Sequence, residues 1–291
     1  MVKKYADLYV ESCRALGAKE DRDTAALMTR NLLCKYTGLP FEVVLAQREQ
    51  YASEETCLAI EASVERLLKG EPLAYVLGEW DFYGMTLQVD PNVLIPRDDT
   101  CAVTSLAIQQ ALFLDDDPRI LDLCTGSGCI GLAIAKRVKD ARITLADISR
   151  EAIAVARKNI KNQKLSGHVS CVQVNALEAA PAFLGKFDLI VSNPPYITTA
   201  EMEQLDASVK DFEPHLALHG GTDGLDFYRA IASNYRTALK PGGYLCFEFG
   251  MGQGDAVCKI LIDNQYKILD RTTDYNGVER AVLAQYGRKE V

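Results

Sequence analysis

The chain has 291 residues, 48% of them hydrophobic, with 32 basic and 40 acidic side chains and a net charge of −8. That content is ample for a core and suits one large domain, or a large domain with a small one. The acidic balance argues against wrapping a phosphate backbone, which needs clustered Lys and Arg. Met1-Val-Lys-Lys-Tyr5 carries no apolar leader, and no run reaches the length needed to span a bilayer. Nine cysteines are scattered without a Cys-x-x-Cys pair. They read as small buried hydrophobes of a reduced, cytoplasmic protein rather than as zinc ligands or redox couples. His215 and His219 lack the Glu of a zincin pattern and read as surface or capping residues, so no metal is expected.

Residues 1–70 read as a small all-α module. Tyr5, Leu8, Val10 and Cys13 leave a loose apolar face before Gly17, and Met28, Leu32 and Leu33 lie at helical spacing within Asp23–Tyr36. Ser53 is a good N-cap, Cys57, Ile60, Val64, Leu67 and Leu68 form a stripe of period 3.6, and Gly70 stops the helix. Residues 71–98 change character, with short β-rich runs at Ala74–Leu77, Glu79–Phe82 and Met85–Val89 that predict a β-hairpin linker. From Asp99 to residue 291 helices and strands alternate. Strands are predicted at Arg119–Leu123, Ile143–Ala146, Val169–Val174, Phe187–Val191 and Tyr244–Phe249, with a terminal pair at Tyr266–Thr272 and Arg280–Gln285. Helices are predicted at Thr100–Leu114, Cys129–Arg137, Arg150–Asn162 and Gly224–Leu239, the last closed by Lys240-Pro-Gly-Gly243. This order implies an α/β, mostly parallel, doubly wound sheet, whose ligands sit at the carboxyl ends of its strands.

Three motifs fall at that edge. Ile120-Leu-Asp-Leu-Cys-Thr-Gly-Ser-Gly-Cys-Ile-Gly131 is a strand, a Gly-containing turn and a helix. Gly126 and Gly128 admit positive φ and a close ligand. With Gly131 they also satisfy the dinucleotide pattern, which alone is weak. Asp122 weighs against a pyrophosphate and suits the ammonium and sulfonium of S-adenosylmethionine. Asp147 ends the next strand, where a carboxylate can take both ribose hydroxyls; a helix N-cap is its bland reading, although Ser149 can supply that. Third, the buried strand Phe187–Val191 runs into Asn193-Pro194-Pro195-Tyr196. The two prolines leave bare carbonyls, Asn193 adds the acceptor Oδ1, and Tyr196 adds a flat face. Together these features can grip a planar amino group by its two hydrogens and its face.

Asn-Pro-Pro-Tyr in this order after the Gly-rich turn and Asp147 resembles the methyltransferases that act on planar amino or amide nitrogens. The chain is most similar to their protein-glutamine branch, the release-factor glutamine methyltransferases (PrmC/HemK). The similarity includes the linker from Gly70 to Gly84 with Leu94-Ile-Pro-Arg97, the segment Glu213–Arg229, Lys240-Pro-Gly-Gly-Tyr244, Glu248 with Gly252-Gln253, and Asp274–Arg280. The resemblance implies a seven-stranded class I methyltransferase (Rossmann-like) sheet, S-adenosylmethionine as methyl donor, and S-adenosylhomocysteine as product. The implied substrate is the glutamine of the Gly-Gly-Gln loop of peptide-chain release factors, with the helical module docking the factor. Asp122, Cys124, Thr125, Gly126, Ser127, Gly128, Asp147, Asn175 and Asn193 would hold the cofactor, and Asn193, Pro194, Pro195 and Tyr196 the target amide.

The sequence departs from the family pattern at four places. Cys124 stands where the family has Gly, so a positive φ there is strained. Asn175-Ala176 replace an acid and an aromatic near the adenine; Asn175 keeps an oxygen for the amino group, while Ala176 offers no stacking face. Asp98 and Cys101 replace a Pro and a Glu of the linker. Arg97 reads on its own as a surface charge, and the Gly220-Gly-Thr-Asp-Gly224 run as an ordinary loop. The open alternatives are a ribosomal-protein glutamine methyltransferase, a nucleic-acid adenine-N6 methyltransferase and a non-catalytic cofactor-binding scaffold. No membrane and no direct nucleic-acid substrate are expected, and the sequence does not give the oligomeric state.

Overall fold

The computed structural model describes residues 2–287; Met1 and residues 288–291, the outer ends of the expected first and last domains, lie outside the described residues. The chain forms two compact units. One holds the residues up to Glu79 together with Ala207–Phe212; the other holds Trp80–Asp206 and the chain from Glu213 onward.

The first unit is helical: Tyr5–Leu16, Arg22–Thr37, Phe41–Ala46, Glu54–Leu68 and Leu73–Leu77. Asp21 caps the second helix by accepting from the amides of Asp23 and Thr24, and Ser53 caps the fourth by accepting from the Thr56 amide at 3.0 Å. Leu8, Leu16, Leu32, Leu33 and Ile60 form its core. Val10, expected on the apolar face, is 51% exposed, because the buried stripe runs Leu8, Ser12, Leu16 at a spacing of four. The run at Ala74–Leu77, expected as a strand, is the helix Leu73–Leu77, entered from Pro72 and ended by Gly78 at φ 70°. Ala74, Tyr75, Val76 and Leu77 are all buried, so their apolar continuity reflects burial on every side and says nothing of strand period.

In the second unit, β1 (Glu79–Phe82) and β2 (Met85–Gln88) form a hairpin through Tyr83 and Gly84, whose φ values of 52° and 75° are those of a primed turn. The main sheet comprises β3 (Arg119–Leu123), β4 (Arg142–Asp147), β5 (Val169–Gln173), β6 (Phe187–Ser192), β7 (Leu239–Glu248), β8 (Tyr266–Thr273) and β9 (Glu279–Tyr286), in the order β5-β4-β3-β6-β7-β9-β8. The first five pair in parallel, and β9 runs antiparallel to β7 and β8.

Alternate residues of β3 serve opposite faces. Ile120 packs with Val103, Leu106, Leu132 and Ile160 of three helices on one side, and Leu121 with Tyr228, Ile231, Val257 and Leu261 of two helices on the other. This is the doubly wound class I methyltransferase arrangement. The helix expected over Gly224–Leu239 is shorter, Asp226–Asn234, followed by a 3₁₀ turn at Tyr235–Ala238. Lys240-Pro-Gly-Gly243, expected to close that helix, lies inside β7, since Leu239 already pairs with Phe187 across a register irregularity. The helix Gly254–Asp263 leads into β8.

Gly131 lets the helix Cys129–Arg137 approach the sheet. A Cβ there would stand 2.3 Å from Leu145 Cδ2 and 3.0 Å from Asp122 Oδ2. Gly131→Ala is expected to lower the unfolding free energy by about 1–3 kcal/mol, the usual cost of overpacking, as read from urea titration; an unchanged midpoint would show that the helix can shift outward freely.

Candidate active site

One register places the site. Leu123 lies opposite Ser192 in the parallel pair β3·β6, and Ser192 Oγ donates to the Leu123 carbonyl at 2.6 Å. Cys124 and Asn193 are the next residues of their chains, so the Gly-rich turn and the Asn-Pro-Pro-Tyr segment leave the sheet side by side. This is the point where strand order reverses, β4 and β5 going one way and β7 the other. A cleft of about 180 Å³ lies there, where open α/β sheets hold their ligands. Cys124, Thr125, Gly126, Ser127, Asp147, Asn175, Asn193 and Pro195 line it, whereas Asp122, Gly128, Pro194 and Tyr196 stand off its wall.

The turn after β3 is left-handed at Cys124, Gly126 and Gly128, with φ of 62°, 54° and 86°. Cys124 bears the strain that a Gly would not, and burial pushes its thiol pKa up. Asp147 holds the turn from the next strand: its Oδ2 accepts from the Gly126 amide and its Oδ1 from the Ser149 amide, both at 2.9 Å. Burial raises the Asp147 carboxyl. The helix that follows is capped by Ser149, which accepts from the Ala152 amide at 3.0 Å. Asp147 is therefore free of capping and faces the cleft.

Asp122 is placed differently from the expectation of a carboxylate facing an ammonium. It lies fully buried beneath the turn, where Oδ2 accepts from Thr125 Oγ at 2.6 Å and from the Gly131 amide at 2.9 Å. Its Oδ1 has no partner, and burial lifts the group to about 7. The side chain ties the turn to the helix behind it. The Asn175 oxygen, expected to meet an amino group, already accepts from the Leu177 amide at 3.0 Å, and its Nδ2 donates to Glu178 at 3.0 Å. Two residues that sequence reasoning missed, Ile148 and Leu177, line the cleft while 41% and 44% exposed. They supply the apolar surface that Ala176 does not. Their signal was available: Ile148 immediately after β4 and Leu177 in the loop after β5 are large apolar residues where a loop calls for polar ones.

The Asn-Pro-Pro-Tyr segment is held from three sides. Asn193 Nδ2 donates to Thr100 Oγ1 at 3.3 Å. Tyr196 packs on Gly250, where a Cβ would stand 3.0 Å from Cδ2 of its ring, and its carbonyl accepts from Gln253 Nε2 at 3.0 Å. Burial raises the Tyr196 hydroxyl pKa, and its ring faces this packing rather than the cleft. The Gly220–Gly224 run is a buttress rather than an ordinary loop. The Ile197 amide donates to the Leu218 carbonyl and the Gly220 amide to the Ile197 carbonyl, both at 2.9 Å. A Cβ at Gly220 would stand 2.7 Å from the Pro195 carbonyl oxygen, and one at Gly224 2.3 Å from that of Tyr196.

Arg97 is half-exposed, and it is more than a surface charge. It pairs with Glu213, whose side chain is only 1% exposed and whose Oε2 accepts from the Ile95 amide at 3.3 Å. Residues just before Arg97 (Leu94, Pro96) and just after Glu213 (Pro214, Leu216) line the cleft, so the pair joins two of its walls. Among the described residues no group of His, Cys, Asp and Glu is arranged to hold a metal ion, and no helix is long and apolar enough to cross a membrane.

Arg97→Ala leaves a buried carboxylate without its partner and is expected to cost about 2 kcal/mol of stability, less than a fully buried pair because Arg97 is partly solvated; a chemical melt measures it. A second expectation follows from Asp122 at about 7 and Glu248, at the end of β7, at about 8, both raised by burial. The folded protein keeps protons there that the unfolded chain releases above the ordinary carboxyl range, so their stabilisation is complete below that range and is lost as pH rises toward 8. Urea titrations at about pH 5 and about pH 8 are expected to show the lower unfolding free energy at pH 8, with Asp122→Asn narrowing the gap. Equal gaps in both proteins would remove Asp122 from the account.

The comparisons agree with this geometry. The sequence matches the Methyltransferase small domain family over residues 99–220 and the PrmC N-terminal domain family over residues 8–78. A release factor glutamine methyltransferase of Clostridium acetobutylicum is 36% identical over 270 residues, 92% of this chain and 94% of that one. Its counterpart in Chlorobaculum tepidum is 38% identical over 274 residues, 92% of each. A crystal structure of a methyltransferase from Pyrococcus furiosus superposes with a TM-score of 0.52 at 18% identity, over 77% of this chain and 98% of that one, and shares its fold. With full-length relatives at this identity, and with the turn, the Asp147 shelf and the Asn-Pro-Pro-Tyr segment meeting in one cleft, the chain belongs to the release factor glutamine methyltransferase family.

Proposed function

We propose that the chain transfers a methyl group from S-adenosylmethionine to the side-chain amide nitrogen (N5) of the glutamine in the Gly-Gly-Gln loop of peptide-chain release factors. The observation that carries this reading is Asn193. It stands on the wall of the same cleft as the Gly-rich turn and Asp147, with Nδ2 engaged by Thr100, so that Oδ1 is its remaining polar atom.

The residues present fit the methyl donor. Cys124, Thr125, Gly126 and Ser127 wrap one end of the cleft with a backbone that approaches closely. Asp147 spends one lone pair of each oxygen on a backbone amide and keeps another for a ribose hydroxyl. Ile148 and Leu177 offer apolar surface to a base, and Asn175 shapes the wall between. When bound, S-adenosylmethionine supplies an electrophilic sulfonium methyl.

The remaining work falls to Asn193 and its neighbours. An amide nitrogen is a poor nucleophile because its lone pair is delocalised into the carbonyl. Its proton is too weakly acidic for a general base to remove first at neutral pH. Asn193 Oδ1 on the wall, and the Pro194 carbonyl once the target amide enters between Asn193 and Pro195, would accept its two N–H bonds, stabilise the positive charge that builds on nitrogen, and orient the lone pair. The proton departs after transfer. Pro195 and Tyr196 keep this stretch stiff: one has a fixed φ, and the other is anchored through Gln253 and Gly250. The helical unit would serve to dock the release factor, and a translation factor as substrate places the reaction in the cytoplasm.

The test is methyl transfer to a purified release factor, located by peptide mass, against a substrate in which Gly-Gly-Gln is changed to Gly-Gly-Ala. A methyl on that glutamine, absent from the variant, is the expected result; no transfer with the cofactor bound would overturn the substrate. Asn193→Ala is expected to lower kcat roughly 100- to 1000-fold, the scale for a lost transition-state acceptor, with cofactor Kd changed only a few-fold. Full activity in that variant would overturn the role of Asn193.

A further inference from the structure

The end of β7 holds a buried carboxyl that the reading above does not use. Glu248 is 2% exposed, its Oε2 has no partner, and its backbone carbonyl accepts from Tyr228 Oη at 3.0 Å. Thr100 and Asn193 are the polar side chains beside its carboxyl that hold its pKa down against burial. Thr100 is itself 2% exposed and accepts from Asn193 Nδ2 at 3.3 Å.

The order of these groups fixes their polarity. A hydroxyl that accepts from an amide has its own hydrogen left to give, and a carboxylate only accepts. With Thr100 Oγ1 accepting from Asn193 Nδ2, its own hydrogen is left for the Glu248 carboxyl beside it, which sets the order Asn193, Thr100, Glu248. Replace the carboxylate by a group that can donate, and the whole chain can reverse: Thr100 then donates to Asn193 Oδ1, and the –NH2 turns toward the cleft. That face presents donors to a target amide that also needs to donate.

We propose that Glu248 and Thr100 are positioning residues that hold the Asn193 amide with Nδ2 inward and Oδ1 toward the cleft, so that Asn193 can accept from the target amide. The inference rests on the role given to Asn193 in the proposed function. It also gives Glu248 a reason to be buried: an amide has no intrinsic preference between its two ends, and a charge at the root of a short hydrogen-bond chain supplies one.

The charge at Glu248 is set by its surroundings. Burial lifts it to about 8, against the lowering effect of Thr100, Arg280 and Asn193. Arg280 and Asp99, an ion pair at 2.7 Å, are the charged groups facing it. Tyr196, Tyr228, Cys101 and Cys129 are the other titratable neighbours, and burial pushes all four upward, so they stay neutral where Glu248 titrates. Ionised Glu248 selects the productive orientation, so turnover is expected to rise with pH through this range.

The experiment measures kcat, cofactor Kd and the pH profile of methyl transfer to the release factor for wild type, Glu248→Gln, Thr100→Val, Thr100→Ser, Asn193→Ala and the double variant Asn193→Ala/Glu248→Gln. Expected are roughly 10- to 100-fold lower kcat in Glu248→Gln and Thr100→Val, the scale of a misplaced contact, with cofactor Kd within about twofold. Thr100→Ser, which keeps the hydroxyl, recovers most of what Thr100→Val loses, and Glu248→Gln lacks the rising limb of the wild-type profile. In the Asn193→Ala background, Glu248→Gln has no further effect, because both act through one amide. Wild-type turnover and pH profile in Glu248→Gln, or losses that multiply in the double variant, would overturn the proposal. If Glu248→Gln does not fold, the Thr100→Val and Thr100→Ser pair decides the matter. Full activity in Asn193→Ala identifies instead a failure of the underlying reading.

Discussion

The pairing of β3 with β6 is the constraint on which the site depends. Parallel strands present the same ends together, and the register that sets Leu123 opposite Ser192, clasped by the Ser192 hydroxyl, brings two chain exits within one residue of each other. One exit becomes the strained turn of Cys124, Gly126 and Gly128; the other becomes Asn193-Pro-Pro-Tyr196. A slip of one residue would turn Asn193 to the other face of the sheet and separate acceptor from turn. The apolar packing of Ile120, Leu121, Leu189 and Ile190 on the two faces makes such a slip costly, so the core fixes the geometry of the chemistry.

Around that pairing, buried carboxyls are used as internal fasteners. Asp122 ties the turn to the helix behind it, Glu213 ties one cleft wall to another through Arg97, and Asp274 holds the β8–β9 loop through Arg280. Asp147, partly exposed at the end of β4, opens onto the cleft, whereas Asp122 and Glu248 do not line it. Each fastener takes donors from backbone amides or a guanidinium, which offsets part of the cost of burying charge. Asp122 and Glu248 each keep one carboxyl oxygen buried without a hydrogen-bond partner, and burial raises both.

Much of this was legible in the sequence because it follows from local chemistry. The strand runs are apolar and β-branched, Ser53 and Ser149 cap the helices they precede, and Gly126 and Gly128 sit at positive φ where the motif placed them. The motifs after β3, β4 and β6 were read as one site and do meet in one cleft. What was not legible depends on partners far away in the chain. Asp122 looks outward in the motif but is turned under it by Thr125 and Gly131. Arg97 reads as a surface charge until Glu213 is folded against it. The Gly220–Gly224 run reads as a loop because nothing local says that Pro195 and Tyr196 pass within a methyl's width. Leu73–Leu77 misled for a different reason: a segment buried on all sides shows no period, and its β-favouring residues then point the wrong way.

The Arg97–Glu213 pair also bears on the order in which the protein assembles. Its partners are 116 residues apart in sequence, with four strands of the main sheet between them. Closing so long a loop is entropically unfavourable until the intervening sheet has shortened the distance. During synthesis, a chain that has emerged only as far as Phe212 contains the Gly-rich turn, Asp147 and Asn193, yet lacks Glu213, the partner of Arg97 and acceptor of the Ile95 amide beside Leu94 and Pro96. The cleft wall is thus one of the last parts to be completed, and a partly made chain holds every chemical group of the site without the enclosure that lets them act together.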